Sequence, residues 1–479
     1  MAISPGRARA TIAVLCFGGL AAALTQTMVI PIQQDLPSLL DTSVSNASWV
    51  VTITLLAGAV AMPVTGRLAD LFGKQRMLAI SAGILLAGSA TCALFTGFAP
   101  VLVGRALQGL AMGFIPVAIA LVREVVPPGM AASATAAVSA TMGVGAAIGL
   151  PLSAWIVESG DWHTLFWVGV GLSAVVLLLV VVVVPHVHDA QPGSLDIVGT
   201  IGLTVGLVTL LVGLTKANEW GWGDVRTLGA IGGGLAVLVL WGLVELFVVP
   251  DPLVDLRTTA RPAVLLTNLA ALAIGFGMMA QSIVMPRLLE MPEATGYGLG
   301  QSMLEAGLWM APGGLMMMVF APISARLIGG AGAKLTLMLG GTVLGAGYLV
   351  AFFLMDSPLQ ILVASCVITA GVGIGYAAMP TLILNAVPLR EAGAAVGLNS
   401  LMRSVGTTAA SAAMVTMLTS DTMDRAGLVP TRDAFQLCFV AGTLAAFVGV
   451  LLVALLPRAV RSAPAAAAVE DHELVSAAQ

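Results

Sequence analysis

The chain has 479 residues, of which 58% are hydrophobic and only 9% charged, with 55 glycines and a mean hydropathy of +1.02. Soluble domains run nearer half apolar and a quarter charged, so this composition excludes an ordinary soluble fold. A formal net charge of −4 offers no basic surface for nucleic acid or another polyanion.

Apolar windows of about 20 residues, enough to cross a hydrocarbon core of about 30 Å, recur along the chain. They predict helices over 10–31, 49–67, 77–97, 101–122, 133–157 and 164–184. After a polar break at 185–195 come 196–215 and 227–249. A second break at 250–262 precedes 263–287, 304–326, 334–354, 359–381, 393–418 and 435–456. The expected fold class is an all-α polytopic membrane protein with about fourteen spans, since no alternating strand pattern argues for a barrel. The first window is too long for a typical signal-peptide core and reads as an uncleaved helix. Residues 457–479 are Ala/Pro-rich, then acidic, and read as a disordered tail.

Placement of Lys and Arg supports the even count. With residues 1–9 inside, thirteen basic residues fall on the cytoplasmic side, five outside, and two within helices. That asymmetry follows the positive-inside rule and puts both termini in the cytoplasm of a cell-membrane protein.

The chemistry-bearing residues are few. Cys16, Cys92, Cys366 and Cys438 lie in or beside apolar runs without pairing or metal spacing, and read as small buried hydrophobes. His186-Val187-His188 lacks a third ligand, so no metal is assigned. There is no phosphate-binding G-x-x-x-x-G-K-[ST] loop, no nucleophile–base–orienter set, and no cofactor signature, so an enzyme is not expected.

The most charged stretch inside the apolar body is Gly66-Arg67-Leu68-Ala69-Asp70-Leu71-Phe72-Gly73-Lys74-Gln75-Arg76. A link this short between two membrane-length helices must turn tightly, and Gly73 suits such a turn. Pro63, Arg67 and Gly73 recur at Pro322, Arg326 and Gly332, offset by 259. Gly109 and Gly113 recur at Gly371 and Gly375 at offset 262, and Pro127 and Gly145 at Pro388 and Gly406 at offset 261. The first six helices therefore correspond to the last six, 10–184 to 263–456, with 185–262 as a linker carrying two additional helices.

The pattern G-R-L-A-D-x-x-G-K-x-R resembles the loop between helices 2 and 3 of the major facilitator superfamily. Arg105 in the helix-4 stretch Gly104-Arg105-Ala106-Leu107-Gln108-Gly109 resembles that superfamily's R-x-x-Q-G motif, whose arginine is implicated in proton coupling. Gly143-Val144-Gly145-Ala146-Ala147-Ile148-Gly149-Leu150-Pro151 resembles the helix-5 antiporter motif of its drug exporters. Here Leu150 stands at the proline position and Pro151 one later. With two extra helices, the whole is similar to the fourteen-helix drug:proton antiporters. Those usually carry an aspartate in helix 1 where this chain has Thr25, in Leu24-Thr25-Gln26-Thr27-Met28-Val29.

What the resemblance implies is proton-driven export of amphipathic or cationic small molecules by alternating access, as a monomer with no nucleic-acid partner. A dedicated exporter of a metabolite or self-made antibiotic, and an uncoupled sensor or scaffold on the same fold, are the alternatives. Coupling and gating are expected at Arg105, Asp70, Arg67, Gly73, Arg76, Arg123, Glu124, Arg403 and Glu305. Glu245, Glu290 and Glu293 are further acids by position, with Glu245 near enough to a helix end to snorkel. A cavity is expected from Thr25, Gln26, Met28, Gln108, Asn268, Gln281, Trp309, Met310 and Asn399, with methionines giving adaptable walls. Gly145, Gly149 and Pro151 are expected to permit close packing and bending of helix 5. Arg403, the second intramembrane cation, fits three roles: pairing with an acid across the cavity, attracting an anionic substrate portion, or bracing its helix.

Overall fold

A computed structural model describes residues 4–30, 32, 35–186, 194–423 and 429–456. The tail at 457–479 and His188, both subjects of sequence expectations, lie outside the described residues. Among those described are fourteen long helices. They are α1 (Pro5–Thr27), α2 (Val44–Phe72), α3 (Lys74–Leu94), α4 (Phe98–Val125), α5 (Pro128–Ser159), α6 (His163–Val183) and α7 (Ile197–Trp220). There follow α8 (Val225–Phe247), α9 (Pro262–Glu290), α10 (Met303–Gly330), α11 (Ala333–Phe353), α12 (Pro358–Ala386), α13 (Ala392–Ser420) and α14 (Arg432–Ala454).

Thirteen of them are long and apolar enough to cross a membrane, and the protein is a multi-pass membrane protein. The exception is α13, 29 residues rich in Ala, Gly, Ser and Thr and carrying Asn399 and Arg403. Its length is sufficient but its surface is too polar for lipid. It is instead packed between α9 and α2, where small side chains permit close approach.

Several helices run past their apolar windows because caps, not hydropathy, set the ends. The Ser43 hydroxyl accepts from Asn46 N–H (3.2 Å), so α2 starts within polar residues. At its other end only Gly73 separates α2 from α3, at φ +98°. Gly332, its repeat counterpart between α10 and α11, adopts φ +87°. The repeat also appears as a matched break. Helix α4 passes through a 3-10 turn at Ala111–Gly113, and α12 is interrupted at 376–377, each beside its repeat glycine Gly113 or Gly375.

Leu15, Leu78, Phe114, Leu121 and Val138 anchor one core among α1–α6. Met285, Leu337, Tyr348, Ile368 and Phe439 anchor another among α9–α14. The α7–α8 pair docks through Leu203, Leu207 and Leu211 of α7 onto Leu56 and Ala59 of α2 and Leu398 and Leu401 of α13. It therefore lies across the line where the first and last helices meet.

Glycine decides the tightest crossings. At Gly371 a Cβ would lie 2.7 Å from Gly340 O and 2.9 Å from Leu344 Cα, so α11 and α12 cross backbone to backbone. Gly371→Val should lower the detergent melting temperature by the equivalent of about 1–3 kcal/mol. Gly329→Ala, where the space is open, should leave it unchanged or slightly raised.

Candidate functional site

Three polar sites interrupt the apolar body. The first closes the end that carries the Gly73 turn. Asp70, in the last turn of α2, reaches the N-terminus of α13, where its Oδ1 accepts from Gly393 N–H (3.1 Å) and its Oδ2 from Ala394 N–H (2.9 Å). Helix α13 has no side-chain cap of its own, so a carboxylate from another helix supplies what its exposed N–H groups and positive dipole end require. The approach is possible because Gly66 and Gly393 lie back to back. A Cβ on Gly393 would sit 2.8 Å from Asp70 Oδ1, and one on Gly66 would meet the Gly393 carbonyl.

Lys74 completes this site, with Nζ 3.0 Å from Asp70 Oδ1 and 2.5 Å from Glu124 Oε1. Arg123 adds a second strut across the same seam, donating from Nη1 to Val387 O (3.2 Å). Sequence reasoning named Asp70, Arg123 and Glu124 but not Lys74 or Gly393 as their partners. Lys74 was legible as the i+4 neighbour of Asp70, whereas Gly393 lies 323 residues away and had no sequence signal. Of the other turn residues, Arg76 is exposed and Arg67 leaves Nε without a hydrogen-bond partner among the described residues.

The second site surrounds Arg105, which is 1% exposed. Its Nε donates to Val50 O (3.2 Å), and its Nη1 to Thr25 O (3.2 Å) and Gln108 Oε1 (2.6 Å). Gln108 in turn donates to Ser89 Oγ (3.0 Å), and Thr54 Oγ1 donates to Arg105 O (3.0 Å). No carboxylate among the described residues takes part. The guanidinium clasps α1, α2 and α4 by their own carbonyl and amide groups, which is how a buried cation is tolerated without a counter-charge.

The third site is a cavity between the two sets of helices, walled by Met62, Met112 and Met142 and edged by Gln26, Ser400 and Arg403. Arg403 is 7% exposed, with its guanidinium carbon 4.5 Å from the centroid of the Tyr376 ring. Tyr376 is fixed by its own hydroxyl, which donates to Met142 Sδ (2.8 Å). On insertion scales a cation at bilayer depth costs about 2.5–3.5 kcal/mol, and a ring face returns about 2 kcal/mol when desolvated.

The expected cavity residues are dispersed in this conformation. Gln26 lines the cavity. Thr25 turns its hydroxyl back to Ala21 O (2.7 Å), and Met28 is in the core, its carbonyl accepting from Ser153 Oγ (2.5 Å). Gln108 belongs to the Arg105 clasp. Asn399 donates to Asn268 Oδ1 (3.0 Å) within the α9–α13 packing, and Gln281 donates to Ser365 Oγ (2.8 Å) toward α12. Trp309 donates to Gln301 Oε1 (2.9 Å), and it and Met310 pack on the core of the last helices. Met28 and Met310 were the methionines expected at the cavity, whereas the structure brings Met62, Met112 and Met142 there from three different helices.

Two acids also differ from expectation. Glu305 is the N3 residue of a capping box: Ser302 N–H donates to its Oε2 (2.8 Å), and its own N–H to Ser302 Oγ (3.3 Å). It is exposed at the start of α10 and does not reach the cavity. Glu245 does not snorkel; it is buried beside Asp196, the two carboxyls sharing the space left over Gly199.

On α5, Gly145 and Gly149 face α1, where Ala23 and Thr27 occupy the volume a side chain would need. Thr27 Oγ1 donates to Gly145 O (3.3 Å). Gly143, two residues earlier, faces Met317 of α10 instead. Pro151 lies inside α5, which is continuous from Pro128 to Ser159.

The sequence profile of the Major Facilitator Superfamily matches residues 15–411. An uncharacterised MFS-type transporter of Mycobacterium tuberculosis is 28% identical over 420 residues, covering 84% of this chain. This chain spans 58% of that relative's length. The tetracenomycin C resistance and export protein of Streptomyces glaucescens is 27% identical over 427 residues, 87% of this chain and 77% of the relative. The multidrug transporter protein MdtP of Bacillus subtilis is 25% identical over 444 residues, 88% of this chain and 79% of the relative. Among solved structures, the human organic anion transporter MFSD10 (TETRAN) superposes with a TM-score of 0.67 at 16% identity, covering 94% of this chain and all of its own. The proton:xylose symporter XylE gives 0.64 at 14% identity, covering 95% of this chain and 97% of its own. At such identities these two likenesses establish the fold alone. With its profile matched through both sets of helices and its fold shared with solved transporters, this chain belongs to the Major Facilitator Superfamily.

Proposed function

We propose that this protein is a proton-driven secondary transporter that exports amphipathic small molecules by alternating access of residues 10–184 against 263–456, acting as a monomer. The observation that carries the reading is the cap at the seam. Asp70 of α2 holds the N-terminus of α13, so rocking the two sets apart at that end must break a charge-assisted contact. The excess of Lys and Arg on the Gly73 side assigns that end to the cytoplasm. The names of the relatives from Streptomyces and Bacillus, an antibiotic export protein and a multidrug transporter, support export as the direction.

With Thr25 at the position of the usual helix-1 acid, coupling is assigned to the Asp70–Lys74–Glu124 cluster. Protonating either carboxylate removes one arm of the network that keeps the seam shut, so proton entry and opening are linked through the same atoms. A second reading, dedicated export of one self-made antibiotic, is favoured by the name of the Streptomyces relative. Competition confined to a single compound class would select it.

Everted vesicles with an acid-inside gradient test the reading against a panel of amphipathic antibiotics and dyes. Substrate addition should partly collapse the gradient. No collapse with any panel member, despite confirmed insertion, would leave an uncoupled binder. Asp70→Asn should cut the response about tenfold or more at unchanged protein level, from the loss of a charged hydrogen bond of about 1.5–3 kcal/mol. Normal transport by that variant would remove Asp70 from the gate. Arg105→Ala should abolish the response and lower the melting temperature; a lower melting temperature with transport intact would make Arg105 a brace alone.

A further inference from the structure

We propose that the cargo carries an anionic group, a carboxylate or acidic phenol on an amphipathic scaffold, and that Arg403 is the side chain that binds it. This deepens the export reading and rests on it. Arg403 stands eleven residues into α13, about 17 Å from the helix start, well away from either end. It edges the cavity and no acidic residue lines that cavity. Among the described residues its side chain makes no hydrogen bond or ion pair, and its guanidinium lies over the Tyr376 ring.

The contrast with the other charged groups makes the vacancy specific. Arg105, also buried, has its Nε and Nη1 donors placed on Val50 O, Thr25 O and Gln108. Asp70 and Glu124 are held by Lys74 at the end of the seam, and Glu305 is spent capping α10. Among the described residues that line this cavity, Arg403 is the one charged side chain. The contact with the Tyr376 ring uses none of the guanidinium N–H groups, which a carboxylate could therefore engage in a bidentate fork. Gln26 and Ser400 add neutral hydrogen-bonding groups, and Met62, Met112 and Met142 give soft walls for an aromatic or aliphatic body. A lipophilic cation would instead enter against an unscreened like charge in a medium of low dielectric constant.

Fluorescence anisotropy on the purified full-length protein tests the charge preference directly, with fluorescein as the anionic probe and ethidium as the cationic one. Fluorescein should bind saturably, about 10–100-fold more weakly to Arg403→Gln and to an intermediate degree to Arg403→Lys. Ethidium binding should not weaken in Arg403→Gln. Absence of saturable fluorescein binding by the wild type, or equal binding by wild type and a folded Arg403→Gln, would overturn the proposal. Should Arg403→Gln fail to fold, the wild type alone decides. Amphipathic carboxylates should displace fluorescein and their uncharged methyl esters should not, and equal displacement by the esters would overturn it. Gradient-driven uptake in everted vesicles separates the two claims. Fluorescein bound but never transported would overturn export and keep the anion site, whereas uptake of ethidium with exclusion of fluorescein would overturn the site and keep export.

Discussion

Gly66 and Gly393 are stacked so closely that neither can carry a side chain, and the Asp70 carboxylate is set over the N-terminus of α13 beside them. This contact ties α2, from the first set of helices, to α13, from the last. Both N–H groups it satisfies would otherwise be orphaned in a buried place, where each costs about 1–3 kcal/mol. Lys74 then balances the charge of Asp70 and brings in Glu124 from α4. The repeat that places Gly332 where Gly73 stands does not reproduce this chemistry, because Gly329 occupies the position equivalent to Asp70. Two similar turns therefore have different consequences, and only one can lock a helix from the other set.

The two intramembrane arginines illustrate how the same desolvation cost is met in different ways. Arg105 places its Nε and Nη1 donors on carbonyl and amide oxygens from three helices. Arg403 contacts the face of Tyr376, lines the cavity and makes no side-chain hydrogen bond among the described residues. In sequence the two look alike, each a lone cation in an apolar helix. The difference lies in the hydrogen-bonding oxygens that neighbouring helices bring to one guanidinium and not to the other.

The α7–α8 pair adds a constraint of its own. Its leucines bridge α2 and α13, the same helices that Asp70 joins. Asn218 of α7 also donates to Ala412 O of α13 (3.0 Å), and Trp222 donates to Thr416 Oγ1 (2.7 Å). Helix α7 thus follows α13 along much of its length, giving a polar helix an apolar neighbour.

Much of this architecture was legible in the sequence, because the bilayer imposes length and hydropathy on each span and leaves a periodic record. Thirteen of the fourteen helices, the Gly73 turn and its echo at Gly332, and the isolation of Arg105 among apolar residues follow from local composition. Helix ends were less legible, since caps such as Ser43 and Ser302 set them within polar residues that hydropathy ignores. The cavity was scarcely legible. Asn268, Gln281 and Asn399 are polar enough to line one, yet pairing across helix contacts consumes their hydrogen bonds, while Met62, Met112 and Met142 converge from separate helices. What the sequence alone determined was which segments cross the membrane and which rare charges they carry. Only the tertiary structure decided which of those charges are satisfied and which face open space, because satisfaction depends on partners hundreds of residues away.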